Sequence, residues 1–381
     1  MQTRASLRPI ALTFLCFGAF WGAWAVSVAD VKAFLDVSDG GFGLVLSAAL
    51  LAAVVANAVA GSLAERWGTQ LGLARGLIAW SVFLVAGALV HSQVVFAVLL
   101  VGIIAAGGAV DVVMNVAATA ALAAHPGRLV RFHALFNAGA CSGALLTAVV
   151  SRAGLSWRWV WVGAGIMALV LSHACRRVDL PAGTVGARHG LFEAFRTVRR
   201  EHLMLLALVF ATSAMVEGGI DTWGVLFLRE HLSSGLLVGA AAYVVGQGIA
   251  TAARVTLGPA AGSLGARRGV ALGAGLTAAG LAVMALVDST GLAWVGLVIA
   301  AGGISVCWPL LLSDASARRE RPALVVGGVT SIGYLGFVFG PIVVGWLADT
   351  FGLDVGLLFL AVAACFVAVT PSRRGRDRSR R

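Results

Sequence analysis

Two short stretches of closely similar sequence decide the fold: GSLAERWG at residues 61–68 and GSLGARRG at residues 262–269. Both fit the pattern G-S-L-x-x-R-x-G, and both stand between long apolar runs. The two copies begin 201 residues apart in a chain of 381 residues. A short charged loop that recurs at matching points indicates an internal duplication, so we expect the chain to consist of two similar halves.

The sequence around both loops is apolar enough to cross a lipid bilayer. The chain is 60% apolar and 12% charged, with a mean hydropathy of +0.94, whereas a soluble domain has about 25% charged residues. Strands are not expected, because the apolar runs are continuous and do not alternate with a period of two. Each run can cross a hydrocarbon core of about 30 Å as a helix. We predict an all-α membrane protein with twelve transmembrane helices, at about residues 9–29, 41–63, 70–90, 93–121, 131–151, 157–175, 203–228, 235–261, 270–288, 292–314, 323–348 and 354–370.

The net charge of +11 is distributed along the chain in a way that favours a membrane topology over nucleic-acid binding. With the N-terminus in the cytoplasm, 23 of the 28 Lys and Arg residues fall on the cytoplasmic side and four on the opposite side. This bias follows the positive-inside rule, so we expect a multi-pass protein of the bacterial cytoplasmic (inner) membrane with both termini in the cytoplasm. The basic C-terminal tail is then expected to contact the lipid surface.

The longest polar segment divides the spans into two groups of six. It ends in FEAFRTVRR (192–200), an amphipathic sequence that predicts a short helix on the membrane surface. The predicted organisation is an N-terminal six-helix half, a cytoplasmic linker, a C-terminal six-helix half and a basic cytoplasmic tail, over residues 1–176, 177–202, 203–372 and 373–381. Two pseudo-symmetric halves with a substrate site between them are typical of a transporter.

The repeated loop resembles the signature of the major facilitator superfamily, which reads roughly G-x-x-x-D-R-x-G-R-R between helices 2 and 3. In the first copy the matching residues are Gly61, Glu65, Arg66 and Gly68. In the second copy they are Gly262, Arg267 and Gly269. Glycine permits a tight turn, and the arginine and the acid can pair across a seam that opens and closes. We therefore expect gating loops here, with ordinary charged loops as the alternative. A third similar stretch, GWLADTFG, occupies residues 345–352.

Four longer segments resemble the bacterial branch of this superfamily near the fucose and sugar–proton symporters. They are GGAVDVVMNVAATA (107–120), RFHALFNAGACSG (131–143), EGGIDTWGVLFLRE (217–230) and SIGYLGFVFGPIVVGWLAD (331–349). The resemblance implies the major facilitator fold, alternating access and, for Asp111 on span 4, a role in proton coupling. Span 1 has no acid at mid-depth to match the second acid of those relatives. Span 5 also lacks the proline-containing motif of efflux carriers, which favours uptake over efflux.

Ionisable residues inside apolar spans are costly and usually mark a pathway or a partner. On span 4, Gly107, Gly108, Asp111, Asn115 and Thr119 are three or four residues apart and share one helix face. Asp111 is therefore a candidate proton-coupling group, and Asn115 is a candidate cavity residue. The alternative is a small-residue helix seam in which Asp111 is hydrogen-bonded to a neighbour.

Span 7 carries Ser213, Glu217 and Asp221 in steps of four, with Gly218 and Gly219 between the two acids. Two acids one turn apart repel each other when both are charged, so Glu217 and Asp221 are also proton-coupling candidates. The two glycines favour a break in this helix. As an alternative, Asp221 is a solvated residue near the end of the span.

Spans 5 and 8 present the other polar faces. On span 5, His133 aligns with Asn137 and Cys141, and its imidazole can relay a proton or can pack as a hydrogen-bonded core residue. Arg254 on span 8 stays charged and needs an anion, either an acid or an anionic substrate. The remaining candidate cavity residues are Asn137, Tyr243, Gln247 and three tryptophans for which simple packing is the alternative, Trp24, Trp223 and Trp308.

Enzyme motifs are absent from the sequence: it has no GxSxG, HExxH, Walker loop or CxxC. No catalytic residue, cofactor or metal is therefore expected, and the expected partners are a small solute, protons and the lipid bilayer, without nucleic acid. The sequence predicts a monomeric secondary transporter, with proton-coupled uptake of a small polar solute, sugar-like or an organic acid. Proton-driven efflux of a drug or metabolite is the first alternative, and a non-transporting membrane receptor or enzyme is a remote one.

Overall fold

The computed structural model describes residues 7–121, 126–177, 191–316 and 322–373. Within these ranges, the side chains at 58, 61–65, 119–121, 126–134, 191–194, 197, 254–264, 313, 316, 322–327 and 371–373 lie outside the described part. The described ranges are almost entirely helical and contain no strand. The all-α prediction is therefore confirmed.

The first six helices follow one another with short connections. They are α1 Arg8–Leu35, α2 Asp39–Trp67, α3 Thr69–Leu89, α4 Gln93–Ala121, α5 Pro126–Arg152 and α6 Arg158–Cys175. Each corresponds to one predicted span. Their apolar composition all round, rather than on one stripe, is what a helix in lipid requires.

The second group begins with a short helix, α7 Leu191–Arg200, at the place predicted for an amphipathic surface helix. The following spans are α8 Met204–Gly219, α9 Leu236–Leu264, α10 Ala266–Leu286, α11 Thr290–Ser305, α12 Cys307–Ser316, α13 Pro322–Phe351 and α14 Leu353–Arg373. Predicted span 7 consists of α8 together with two π-helical segments, Ile220–Gly224 and Phe227–His231. Predicted span 10 consists of α11 and α12, which are interrupted at Val306.

The predicted count of twelve spans agrees with these helices. Among the described residues, 11 helices are long and apolar enough to cross a membrane. The remaining predicted span corresponds to α5, a helix of 27 residues.

The chain divides into two compact units. The first comprises Met1–Asp36 and Ala48–Arg188, and the second comprises Val37–Ser47 and His189–Arg381. The boundary near residue 188 lies inside the predicted linker. The grouping differs from the predicted half over residues 1–176 in one stretch, because the beginning of α2 packs with the second unit.

The two units repeat one set of helix pairings. In the first unit α1 packs on α5, α3 on α6 and α3 on α4. In the second unit α8 packs on α13, α10 on α14 and α10 on α11. Because these are spans 1, 3, 4, 5 and 6 and their counterparts six spans later, the pairings show the pseudo-symmetry that the duplicated loop predicted.

Glycine brings α1 and α5 of the first unit, and α8 and α13 of the second unit, into backbone contact. A Cβ at Gly22 of α1 would overlap the carbonyl group of Ala140 on α5. A Cβ at Gly336 of α13 would likewise overlap the carbonyl group of Ala211 on α8. Helices in lipid associate through close packing of small residues rather than through burial of apolar surface from water, so these glycines position the helices of both units.

Candidate functional site

The acid of the first unit lies in the middle of a long apolar helix. Asp111 is half-buried on α4, and the Nδ2 of Asn115, one turn later, donates to its Oδ1 and to its main-chain oxygen, both at 2.9 Å. Asp111 and Asn115 therefore lie together on one helix face, as the spacing predicted. No Lys or Arg forms an ion pair with Asp111 among the described residues, so a neutral amide is the partner seen there.

Two polar atoms flank α4 about one turn before Asp111. A Cβ at Gly107 would lie 3.2 Å from the indole Nε1 of Trp80, and one at Gly108 would lie 2.5 Å from the Oδ1 of Asn57. Both polar atoms are buried, and neither has a hydrogen-bond partner in the described part of the chain. The sequence reading missed Asn57, although an asparagine within the apolar run 41–63 was a usable signal.

In the second unit, the acids of span 7 lie where the helix changes its winding. Glu217 belongs to α8, whereas Asp221 belongs to the π-helical segment Ile220–Gly224, and both are half-buried. Ser213, one turn before Glu217, is fully buried. π-Helical turns are rare and often occur at functional sites.

The predicted break at the two glycines of span 7 is wrong. Gly219 has a helical φ of −64° and ψ of −44°, and the chain continues from it into the π-helical segment. The glycines have a packing role: a Cβ at Gly218 would lie 2.7 Å from a ring carbon of Phe337, and one at Gly219 would lie 2.5 Å from Leu360. Close packing by α13 and α14 therefore explains the two small residues.

The polar faces of spans 5 and 8 are described in part. Asn137 and Cys141 lie half-buried on α5, while the side chain of His133 is outside the described residues. On α9, Tyr243 is buried, Gln247 is half-buried, and the hydroxyl group of Thr251 donates to the carbonyl oxygen of Gln247 at 2.8 Å. The side chain of Arg254 is also outside the described residues, so its partner stays a prediction.

The structure places two of the predicted cavity tryptophans in the packed interior of the units. Trp24 is 5% exposed and lies 6.1 Å from Trp161, ring to ring. Trp223 is fully buried and meets Phe42 edge-on at 6.3 Å. Both rings therefore contribute to packing, and a role for them in a substrate cavity stays a prediction.

Trp308 occupies a different environment. It is half-buried at the start of α12 and lies within an aromatic cluster of Phe210, Tyr334 and Phe337, at ring distances of 4.4, 6.0 and 5.8 Å. Its Nε1 is buried and has no hydrogen-bond partner among the described residues. The indole N–H of Trp308 is therefore a hydrogen-bond donor that a bound solute would use.

In the two copies of the repeated loop, the chain turns at different positions of the G-S-L-x-x-R-x-G pattern. In the first copy, the turn between α2 and α3 is at Gly68, with φ 81° and ψ 150°. In the second copy, the turn is at Gly265, with φ 83° and ψ 140°, and Gly269 lies inside α10. The equivalence of Gly68 and Gly269 was therefore wrong, because only glycine adopts this backbone conformation without strain, and the second copy uses its earlier glycine.

The charged residues of the loops have separate partners. Arg66 is exposed, and no ion pair of its side chain occurs within the described ranges; Gly61, Glu65 and Gly262 are outside the described part. Arg267 pairs with Asp314 of α12, with 3.9 Å between Nε and Oδ1. The pairing expected for Arg66 and Glu65 in the first copy stays a prediction. The sequence reading did not identify Asp314.

The third similar stretch, GWLADTFG, holds the beginning of α2. The hydroxyl group of Ser38 donates to the Oδ2 of Asp349 at 2.7 Å and accepts from the backbone N–H of Gly41 at 3.1 Å. A Cβ at Gly345 would lie 2.5 Å from the carbonyl oxygen of Asp39. These contacts explain why Val37–Ser47 belongs to the second unit. Within the described residues there is no cluster of His, Cys, Asp and Glu that could hold a metal ion.

Comparison with known proteins agrees with this architecture. The family profile described as the Major Facilitator Superfamily matches residues 10–321. The chain is 28% identical over 383 residues to an uncharacterised MFS-type transporter of Yersinia pestis, covering 94% of each protein. It is 31% identical over 191 residues to a candidate tartrate transporter of Agrobacterium vitis, covering 49% of this chain and 41% of that one. The fold is similar to the crystal structure of the nucleoside transporter NupG, with a TM-score of 0.79 at 14% identity, covering 96% and 98% of the two chains.

Proposed function

The chain belongs to the Major Facilitator Superfamily, and it is a membrane transporter rather than an enzyme; from this premise we propose that it couples protons to the uptake of a small polar solute. The observation that carries the proposal is Asp111, an acid in the middle of α4 whose partner within the described residues is the neutral amide of Asn115. An ionisable group at membrane depth is costly unless it serves a pathway. An amide can hold the carboxyl group in place without fixing its charge.

The proposed cycle uses one acidic site in each unit. Asp111 takes a proton on one side of the membrane and releases it on the other as the carrier changes state. Glu217 and Asp221 respond in the second unit. A proton can drive such a change only if the group binds it more tightly in one state than in the other. The π-helical segment beside Glu217 supports this assignment, because π-helical turns are frequent at functional sites.

The proposed cargo class is a small polar solute, either an organic acid or a sugar-like compound. The relative named as a candidate tartrate transporter supports an organic acid, since it shares 31% identity over about half of this chain. An anionic solute needs a cation, and Arg254 is the proposed one. Two features support uptake rather than efflux: the absence of a proline motif at the end of span 5, and the resemblance of four segments to sugar–proton symporters.

Transport assays in proteoliposomes test the proposal. The purified chain is reconstituted with a pH-sensitive dye inside, and tartrate, a pentose and a nucleoside are added outside in turn. We expect one solute class to acidify the lumen and to accumulate only when the outside is the more acidic side. Solute flux without proton movement would contradict coupling. Extrusion of a preloaded solute when the outside is the more acidic side would assign the alternative, efflux.

Oriented reporters test the proposed membrane topology independently of the cargo. With both termini in the cytoplasm of an inner membrane, a phosphatase that is active only in the periplasm should stay inactive when fused after Arg381. The same enzyme inserted between α3 and α4, at Ser92, should be active. The reverse pattern would contradict the topology derived from the distribution of Lys and Arg.

A further inference from the structure

Helix α2 contributes to both units of the protein. Its residues 39–47 belong to the second unit, and its residues from 48 onward belong to the first. The chain is helical throughout Asp39–Trp67, and residues 44–60 include neither glycine nor proline. Because sharp kinks occur almost always at proline, at glycine and serine pairs or at π-bulges, we expect this part of α2 to move as a rigid rod.

The beginning of α2 contacts the π-helical segment that carries one of the acids of span 7. Phe42 is fully buried, and its ring meets that of Trp223 edge-on at 6.3 Å. Trp223 follows Asp221 by two residues in the same π-helical segment. A Cβ at Gly43 would overlap the carbonyl oxygen of Pro341 on α13. The beginning of α2 is therefore packed closely against the second unit.

Fifteen residues after Phe42, α2 contacts α4 beside the acid of the first unit. A Cβ at Gly108 of α4 would lie 2.5 Å from the Oδ1 of Asn57 and 3.1 Å from the Cβ of Ala53. Gly108 is three residues before Asp111, so the two lie on one face of α4. At this level α4 thus packs on α2 without space for a methyl group.

The two contacts lie on one continuous face of α2. The buried apolar residues of this face follow one another at intervals of four, three and four residues, and Asn57 comes four residues after the last of them: Phe42, Leu46, Ala49 and Ala53. This spacing is that of a single helix face. The two ends of the face are about 22 Å apart along the helix axis. A shift of α2 at Asn57 would therefore also displace Phe42.

We propose that α2 transmits a displacement of α4 at Asp111 to the π-helical segment that contains Asp221, with Asn57 and Phe42 as the positioning residues at its two ends. The inference rests on the proposed function, because it takes Asp111 and Asp221 as the groups that are coupled. A rigid helix with close contacts at both ends is a physical route by which two sites influence each other. This route requires no electrostatic interaction between the acids, so uncharged substitutions test it.

Hydrogen exchange of the full-length protein in detergent tests the link. Gly108→Ala adds a methyl group to α4 against Asn57, and the matched control Gly102→Ala adds one to the same helix against the ring of Phe83 on α3, also at 2.5 Å. Exchange is measured by mass spectrometry in a peptide that contains Ile220–Gly224. We expect Gly108→Ala to change the exchange rate there by about threefold or more, because exchange reports local opening, and Gly102→Ala to leave it unchanged. No change in Gly108→Ala, or an equal change in both variants, would overturn the proposal.

Further variants test whether the route runs through α2. Leu51→Gly loosens α2 midway between its two contacts, since glycine is an unfavourable helix residue, and Leu276→Gly does the same in α10 at a similar exposure, 54% against 52%. We expect Leu51→Gly to remove most of the effect of Gly108→Ala and Leu276→Gly to preserve it. Asn57→Ala adds no volume and should itself change the exchange of span 7, so it replaces Gly108→Ala if that variant does not fold. Persistence of the effect in Leu51→Gly would contradict transmission through α2.

The exchange measurement is independent of proton movement, which keeps this inference separate from the proposed function. Absence of accumulation driven by a proton gradient in proteoliposomes would reject proton coupling. Absence of an exchange response in span 7 would reject the link through α2 and leave proton coupling at Asp111 intact.

Discussion

The two units share their helix pairings and differ in the helices that carry their acids. In the first unit, Asp111 sits in an uninterrupted α-helix and is held by Asn115 of the same helix. In the second unit, Glu217 and Asp221 lie on either side of a change from α-helical to π-helical winding. One unit therefore holds a single acid on a regular scaffold, and the other holds two acids on an irregular one.

This difference suggests a division of work between the units. A regular helix keeps its acid at a constant position, which suits a group that must bind and release a proton. A π-helical turn is rare and occurs frequently at functional sites. Because α13 and α14 pack against Gly218 and Gly219, movement of those two helices would displace the acids of span 7. We infer that the first unit supplies the proton site and the second unit supplies the element that responds.

The largest expected effect on stability comes from disrupting the helix pairs that occur in both units, α1–α5 and α8–α13. Gly22→Ala and Gly336→Ala each place a Cβ on a backbone carbonyl group of the partner helix, and overpacking of this kind costs typically about 1–3 kcal/mol. Thermal unfolding in detergent should show a lower midpoint for both variants. Gly275→Ala, where nothing lies within 4 Å, is the matched control and should be neutral. A lower thermal midpoint for only one of the two variants would contradict the equivalence of the α1–α5 and α8–α13 pairs.

A smaller effect is expected at the turns of the repeated loops. Gly68→Ala and Gly265→Ala should each destabilise by about 1–2 kcal/mol, because an L-residue is strained at φ values of 81° and 83°. Gly269→Ala, inside α10, should be tolerated. The comparison is made by thermal midpoint at equal protein concentration. If Gly269→Ala proved the costly substitution and Gly265→Ala the mild one, the original equivalence of Gly68 and Gly269 would be restored.

Span 7 should respond more mildly than α4 when it loses an acid. Glu217→Gln is expected to reduce the rate of coupled uptake by about tenfold, equivalent to about 1.4 kcal/mol in the barrier, and to change its dependence on pH. Asp221 remains available in this variant. Initial rates in proteoliposomes over a range of external pH measure both effects. A complete loss of accumulation in Glu217→Gln would assign the proton site to the second unit instead.

The smallest expected effect is at the first copy of the loop. Arg66→Ala should lower turnover by about threefold, or about 0.7 kcal/mol, because the proposed contact acts when the carrier changes state. The affinity for solute should stay the same. Counterflow rates and equilibrium binding separate the two quantities, and Arg152→Ala, at an exposed arginine that ends α5, provides the control. Equal turnover in Arg66→Ala and the unsubstituted protein would reject the gating role.

Much of the fold follows from the sequence, because lipid imposes simple rules. Runs such as 93–121 and 70–90 correspond to α4 and α3 almost residue for residue, since a continuous apolar run in lipid must be helical. The predicted surface helix over 192–200 also appears as α7. The pattern could not reveal the π-helical segments of span 7, because the choice between α and π winding depends on how neighbouring helices pack.

The contacts of the candidate site are harder to predict from the sequence, because they also depend on how neighbouring helices pack. Spacing along one helix paired Asp111 with Asn115 correctly, since both lie on the same helix. It could not pair Arg267 with Asp314 or Ser38 with Asp349, because these contacts join helices that are distant in the chain. It also assigned Trp24 and Trp223 to a cavity, although helical spacing alone does not distinguish a lining residue from a packed one.

Accumulation by Asp111→Asn is the measurement that tests the central claim most directly. The variant, the unsubstituted protein and Asp288→Asn, which changes an exposed acid between α10 and α11, are reconstituted at equal density. Uptake against a solute gradient and solute exchange at equilibrium are then measured in each. We predict that Asp111→Asn loses accumulation driven by a proton gradient and retains exchange at a rate close to that of the unsubstituted protein. Asp288→Asn should retain both. Undiminished accumulation by Asp111→Asn would contradict the assignment of the proton site to α4.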